Sequence, residues 1–144
     1  MKNILVSLDF DNSEDILLKK ALEFGKAFKA KIWILHIAAP EPEFIGYEPG
    51  PQYIRDARAE DLRIEHKNLQ KFSKYLENKG LQAEALLIQG ATIETIMEEA
   101  KKLKADMIIA GQEKKSFLYK AFTGSVSSEI IKKSKIPVLI VPIA

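Results

Sequence analysis

The chain has 144 residues, of which 47% are hydrophobic and 29% are charged, values that are ordinary for one globular domain with a substantial core. It contains no cysteine, which excludes disulfide frameworks, zinc–thiolate sites and cysteine nucleophiles. The net charge of +2 is too small to indicate nucleic acid as a partner. No segment has the pattern of a signal sequence or the length of a membrane span. We therefore expect one cytoplasmic domain, residues 1–144, without membrane insertion.

The positive charge is concentrated in the last third of the chain. Residues 101–144 contain nine lysines against three acidic residues. Two interpretations are open. The lysines lie on solvated helix faces, or they form a basic rim that attracts a small anion.

Short apolar runs alternate with segments of helical periodicity along the whole chain. The predicted strands are residues 4–8, 32–37, 83–88, 107–110 and 137–141. Four predicted helices separate them, with apolar positions at Leu17, Ala21, Phe24 and Phe28; Leu62, Leu69, Phe72 and Leu76; Ile93, Ile96, Met97, Ala100 and Leu103; and Val126, Ile130 and Ile131. Ser13 or Asn12 is placed to cap the first helix, Gly80 to close the second and Thr92 to cap the third.

This alternation predicts a single α/β domain, doubly wound, with a parallel sheet covered by helices on both faces. In such folds ligands bind outside the carboxyl ends of the strands, where the strand order reverses. That rule indicates Asp9, Ile37 and Gly111, which end three of the predicted strands. Residues 39–52 are rich in proline and glycine and predict a long irregular connection between the second strand and the second helix.

The most informative local pattern is Gly111-Gln112-Glu113-Lys114, then nine residues, then Gly124-Ser125. Gly111 allows a ligand to approach the backbone closely, and Gly124-Ser125 begins a helix whose first N–H groups favour phosphate. The alternative interpretation is a strand-ending turn followed by a serine N-cap. Neither a Walker A sequence nor Gly-x-Gly-x-x-Gly follows the first strand.

On the basis of these residues and their spacing, the whole chain resembles the universal stress protein family. The nucleotide-binding branch of that family has Gly-x-x-Gly, nine residues, then Gly-Ser/Thr, and this sequence matches it at Gly111, Gly124 and Ser125. Asp9 after the first strand, His36-Ile37 at the end of the second, Gln89-Gly90 and the terminal Pro-Val-Leu-Ile-Val-Pro are also family-like. The resemblance implies a Rossmann-like, adenine nucleotide alpha hydrolase-like fold, with five parallel strands in the order 3-2-1-4-5 and four helices.

The resemblance also implies a function and a site. It suggests an ATP- or AMP-binding regulatory protein of the stress response, not an enzyme, that forms a homodimer through the C-terminal strand between Val138 and Pro142. Asp9 and Ile37 would lie against adenine, Gly111 near ribose and phosphate, and Gly124 with Ser125 at the phosphates. The full set implied for the nucleotide is Ser7, Leu8, Asp9, Ile37, Gly111, Lys114, Gly124, Ser125, Val126 and Ser127.

One position departs from the family pattern, because Lys114 replaces the second glycine of the motif. If that position requires a left-handed backbone, a side chain costs about 1–2 kcal/mol. That cost corresponds to an affinity about ten- to thirty-fold lower. A lysine charge near the phosphates offsets part of the loss.

Two other functions stay open from the residues alone. The first is a nucleotide-free dimeric interaction protein that has lost the ATP site at Lys114. The second is an enzyme acting on a phosphorylated small molecule, for which only Asp9, Asp11 and Glu113 are placed to transfer a proton. No structural metal is expected, because neither His36, predicted as a satisfied core histidine, nor the solvent-facing His66 has a partner at metal-ligand spacing.

Overall fold

The computed structural model describes residues 1–9, 13–38, 52–112 and 126–143. Lys114, Gly124, Ser125 and residues 39–51 of the irregular connection predicted at 39–52 lie outside the described residues, whereas Gln52 already begins α2. Five strands and four helices alternate in the order β1 (Asn3–Ser7), α1 (Glu14–Phe28), β2 (Lys31–Ala38), α2 (Gln52–Asn78), β3 (Ala83–Gln89), α3 (Thr92–Lys102), β4 (Met107–Gly111), α4 (Val126–Lys133) and β5 (Val138–Val141).

The five strands form one sheet in the order β3-β2-β1-β4-β5, and every neighbouring pair is parallel. The predicted fold class and strand order are therefore confirmed, and each predicted strand matches an observed one within one residue at either end. β1 lies at the centre, so its side chains are covered on both faces. This explains why Ile4, Leu5 and Val6 are all fully buried in a run without polar alternation.

Two hydrophobic clusters, one on each face of the sheet, form the core. Ile4 and Val6 point to the face covered by α1 and α2, where they join Leu17 of α1 and Leu69 of α2. Leu5 points to the other face, where it joins a cluster that includes Ile96 of α3 and Ile130 of α4. The clusters show that α1 and α4 lie on opposite faces of the sheet.

The ends of the helices agree only in part with the sequence prediction. Gly80 closes α2 with a φ of +94°, a backbone conformation that favours glycine, as predicted. Thr92 is not the N-cap of α3, because the helix already begins at that residue and the extended Ala91 precedes it. Ser13 is the N-cap residue of α1, but its side chain makes no capping hydrogen bond.

Two residues predicted to face the core are exposed. Phe28 is 46% exposed at the last position of α1, where its ring stacks on that of Phe24. Ile131 is 58% exposed, because it directly follows the buried Ile130. Consecutive residues of a helix lie about 100° apart, so a short helix cannot bury both side chains in one stripe.

Asp106 joins the start of β1 to the loop that precedes β4. Its Oδ2 atom accepts hydrogen bonds from the backbone N–H groups of Lys2, at 2.7 Å, and Asn3, at 2.9 Å. These two N–H donors, first that of Asn3, hold the pKa of the Asp106 carboxyl below its usual value. The charged form is therefore stabilised by folding.

Replacing Asp106 is expected to lower stability in a pH-dependent way. A depressed pKa contributes stability above the pKa of the unfolded chain, and this contribution is lost as the pH falls through the folded value. At pH 7 we expect Asp106→Ala to cost about 1 kcal/mol, because the carboxylate is partly exposed. Asp106→Asn, which keeps an acceptor oxygen, should cost less. Urea unfolding at pH 7 and pH 3 measures both variants, and a deficit of Asp106→Asn that does not shrink at pH 3 would contradict this explanation.

Candidate functional site

A cleft opens at the carboxyl end of the sheet between β1 and β4. β1 connects to α1 on one face and β4 is followed along the chain by α4 on the other, so the two connections diverge from neighbouring strands. The backbone cannot fill the space between diverging connections, which is why ligands bind at this position in doubly wound folds. The cleft is narrow, with a cavity volume of about 20 Å³.

Residues from five parts of the chain line the cleft. The end of β1, the start of α1, the end of β4, the start of α4 and the C-terminal tail supply Ser7, Asp9, Ser13, Leu17, Ala110, Gly111, Val126, Ser127 and Ile143. The floor is mostly small or apolar, and the polar groups are hydroxyls and one carboxylate. This composition suits a ligand with a flat apolar part and a few polar atoms.

Asp9 lies at the rim of the cleft with 54% of its side chain exposed. Its Oδ1 atom is 3.8 Å from Nδ1 of His36, which stands near the end of β2. The same ring nitrogen lies 2.8 Å from the carbonyl oxygen of Leu8 and is in position to donate a hydrogen bond to it. His36 therefore fixes the backbone at Leu8, immediately before Asp9, and leaves the Asp9 carboxylate accessible from solvent.

The other ring nitrogen of His36 faces helix α2. Its Nε2 atom is 3.9 Å from Oε2 of Glu65, an oxygen that is buried and has no hydrogen-bond partner among the described residues. The imidazole of His36 is 11% exposed and stands between the two carboxylates, Asp9 and Glu65. The contact links the rim of the cleft to the middle of α2.

Gly111, the last residue of β4, lies against the C-terminal tail. A Cβ atom at this position would stand 2.4 Å from Cδ1 of Ile143, too close for any side chain unless the isoleucine moved. Gln112 continues the pairing by donating from its backbone N–H to the carbonyl of Val141 at 2.8 Å. In this structure the end of the Ile143 side chain occupies the space beside Gly111. The backbone conformation does not require glycine, since Gly111 is not among the positive-φ residues.

Helix α4 presents its N-terminus to the cleft. Val126 and Ser127, its first two residues, both line the cleft, and Ser127 is buried. The first turn of a helix presents backbone N–H groups and the positive end of the helix dipole, which together stabilise an anion. The start of α4 is therefore a place for the negative part of a ligand.

The predicted site residues fall into three groups in the structure. Ser7, Asp9, Gly111, Val126 and Ser127 come together in the cleft. Leu8, which precedes Asp9 in the chain, and Ile37, which lies in the neighbouring strand β2, do not line the cleft. Leu8 is buried under α1 and α2, and Ile37 packs on the α3 and α4 side. Lys114, Gly124 and Ser125 lie outside the described residues.

The sequence prediction missed the role of His36 in positioning the cleft and the contribution of the C-terminal tail. His36 was predicted as a satisfied core residue, and its hydrogen bond and low exposure agree with that. Its position was recoverable, because parallel neighbouring strands end at the same edge and β2 is next to β1. No pattern in the sequence indicated that Ile143 would turn back onto Gly111.

Among the described residues, no three side chains of the metal-ligating types His, Cys, Asp and Glu are grouped closely enough to bind a metal ion. In the same part of the chain, none of the helices combines the length and the apolar character needed to cross a membrane.

Comparison with known proteins agrees with this geometry. The model of the universal stress protein family matches residues 1–142. Universal stress protein MJ0577 of Methanocaldococcus jannaschii is 30% identical over 153 aligned positions, covering 97% of this chain and 94% of that protein. Its fold superposes with a TM-score of 0.76.

Two similar structures contain adenine nucleotides. A universal stress protein in complex with cAMP has a TM-score of 0.72 and 21% identity, and the match covers 99% of this chain and 98% of that one. A family protein of Arabidopsis thaliana with AMP bound has a TM-score of 0.64 and 19% identity, covering 100% of this chain and 93% of the other. At these identities the likeness establishes the fold.

The structure is therefore a doubly wound α/β domain with a cleft at its topological switch point. The chain belongs to the universal stress protein family.

Proposed function

We propose that this chain is an adenine-nucleotide-binding regulatory protein of the stress response that acts as a cytoplasmic homodimer and not as an enzyme. The observation that carries the proposal is the convergence of Asp9, Gly111 and the start of α4 on one cleft at the switch point. Each of the three provides a different part of what an adenine nucleotide needs.

The carboxylate of Asp9 supplies the acceptor for the base. It is exposed at the rim, and an ionised carboxylate only accepts hydrogen bonds, which matches the exocyclic amino group of adenine. The sugar then lies over Gly111, where β4 has no side chain. Ile143 is the group that must adjust, because its side chain occupies the space beside Gly111.

The phosphates lie at the start of α4, whose helix dipole favours negative charge. Lys114, Gly124 and Ser125 complete this part of the site in the proposal, with lysine in place of the second motif glycine. The universal stress proteins crystallised with cAMP and with AMP support the choice of an adenine nucleotide. A regulatory role is supported by membership of the universal stress protein family.

Calorimetric titration with ATP and AMP tests nucleotide binding. We expect the natural protein to bind in the micromolar to tens-of-micromolar range. Asp9→Ala removes a hydrogen bond to a charged acceptor, about 1.5 kcal/mol, and should weaken binding about tenfold. Asp15→Ala is the matched control, because Asp15 is an exposed acid in the first turn of α1 that does not line the cleft.

The variant Lys114→Gly distinguishes a working nucleotide site whose affinity Lys114 tunes from a site that has been lost. If it binds more tightly than the natural protein, Lys114 tunes the affinity of a working site. If the natural protein does not bind and the variant does, the chain has lost its nucleotide and the proposal is wrong. Equal weakening by Asp9→Ala and Asp15→Ala would also contradict the assignment of Asp9 to the base.

The homodimer is proposed at β5, which forms one edge of the sheet. The carbonyls of Pro137 and Val141 accept hydrogen bonds from Ile108 and Gln112, so odd-numbered residues of β5 bond to the β4 side. The backbone groups of Val138 and Ile140 therefore face the open edge. An apolar, β-branched edge strand is a liability unless another strand covers it, and a second copy of β5 does so.

Replacing Ile140 with proline should separate the dimer into monomers. The change removes an N–H group at the open edge and keeps the bonds between β5 and β4. Ala85→Pro is the matched control, because Ala85 occupies the equivalent outward position of β3 at the opposite edge. In sedimentation equilibrium we expect the natural protein and Ala85→Pro to be dimers and Ile140→Pro to be monomeric. A monomeric natural protein, or a folded Ile140→Pro that remains dimeric, would contradict this interface.

A further inference from the structure

A second concave surface lies at the amino end of the sheet, opposite to the nucleotide cleft. It lies between the end of α3 and the end of α4 and has a cavity volume of about 460 Å³. We call it the basic groove and define it by its lining: Met97, Ala100, Lys101, Lys104, Ala105, Ile108, Lys133, Ser134, Lys135 and Ile136. Ala105 precedes β4 and Ile136 precedes β5, which places the groove where these two strands begin.

The floor of the basic groove is apolar. Ala100, Ala105 and Ile108 are buried members of the hydrophobic cluster on this face, and Met97 and Ile136 pack against the same cluster. The floor is therefore continuous with the core. Met97 and Ile136 are only partly buried, so a ligand that covers them removes apolar surface from water without any rearrangement of the sheet.

The rim of the groove is cationic. Lys101 and Lys104 lie on one side, and Lys133 and Lys135 on the other. Within residues 1–9, 13–38, 52–112 and 126–143, none of these four lysines forms an ion pair. Their neighbours Lys102 and Lys132 behave differently, since they pair with Glu99 at 3.5 Å and Glu129 at 3.9 Å.

The helix dipoles explain part of this charge. The C-termini of α3 and α4 are both at this end, and lysines stabilise the negative end of a helix. The helix dipoles do not explain why the floor between the lysines is apolar. They also do not explain why the four rim lysines differ from Lys102 and Lys132, which are paired. No acidic side chain is among the described residues that line the groove.

We propose that the basic groove binds a small amphipathic anion, a single acyl chain that ends in a carboxylate. The chain lies on the floor along Met97 and Ile136, and the carboxylate meets the lysines of the rim. A cavity of about 460 Å³ is within the range of small-molecule sites, about 300–1,000 Å³. A protein partner is less well suited, because a stable interface needs about 800 Å² on each side and this floor is made of only a few side chains.

The test uses three probes with the same chain and different heads: decanoate, 1-decanol and decyltrimethylammonium, each below its aggregation concentration. Binding to the full-length protein is followed by shifts of the side-chain methyl signals. We expect decanoate to shift Met97, Ile108 and Ile136 and to leave Ile143, in the nucleotide cleft, unchanged. Decanol should bind more weakly and the cationic probe least. No binding of decanoate, or equal binding of the cationic probe, would overturn the proposal.

A pair of double variants separates the rim lysines from general surface charge. Lys101→Glu with Lys133→Glu reverses two charges of the rim and should weaken decanoate binding about tenfold, or 1.4 kcal/mol. Lys102→Glu with Lys132→Glu makes the same change of net charge on the same two helices outside the groove, and should change the affinity less than twofold. Equal effects of the two double variants would overturn the assignment.

Lys104→Gly removes a rim lysine without destabilising the fold. Lys104 has a φ of +53°, where glycine is relaxed and a side chain is strained. The variant should melt at the same or a higher temperature and yet bind decanoate more weakly. A variant that binds as the natural protein does would exclude Lys104 from the rim. The proposal does not rest on nucleotide binding, and ATP should leave the decanoate affinity unchanged.

Discussion

β1 and β4 lie side by side at the centre of the sheet, and the helices that follow them cover opposite faces. The rest of the molecule depends on this arrangement. It buries β1 on both faces, and it opens the one place at the carboxyl end where α1 and α4 begin on opposite sides. Asp9 and Gly111 belong to the cleft because they end these two strands. The cleft follows from the topology of the chain.

The sheet has two chemically different ends. At the carboxyl end, helices begin, polar hydroxyls and one exposed carboxylate line a narrow cleft, and His36 fixes the backbone before Asp9. At the amino end, helices finish and lysines accumulate around an apolar groove. Six of the nine lysines in residues 101–144 are described, and they gather at the ends of α3 and α4, away from the carboxyl-end cleft. These six form the described part of the basic rim suggested by composition.

Much of the fold was predictable because the strongest signals in the sequence are buried strands. A parallel strand covered on both faces must be apolar at every position, which made residues 4–8, 32–37 and 107–110 recognisable. Side chains near helix ends were less predictable. Phe28, Ile131 and Thr92 each satisfy a local pattern, but their exposure or capping role depends on which residue begins or ends the helix.

The site was predictable only as far as strand ends determine it. Asp9 and Gly111 could be assigned from the end of a strand, and Val126 and Ser127 from the start of a helix. The contact of Gly111 with Ile143 could not, because it joins the end of β4 to a tail beyond β5 whose direction no local pattern specifies. The approach of Glu65 to His36 could not be predicted either, because it depends on how the long helix α2 lies across the sheet.

The most direct measurement of the central claim is a residue-resolved amide NMR titration of the natural protein with AMP. Binding in the carboxyl-end cleft should shift the signals of Ser7, Asp9, Gly111 and Ser127 together, with one saturation curve, and leave Ala105 and Ile136 at the amino end unaffected. Absence of any shift at millimolar AMP, or shifts confined to the lysine-rich amino end, would contradict the account.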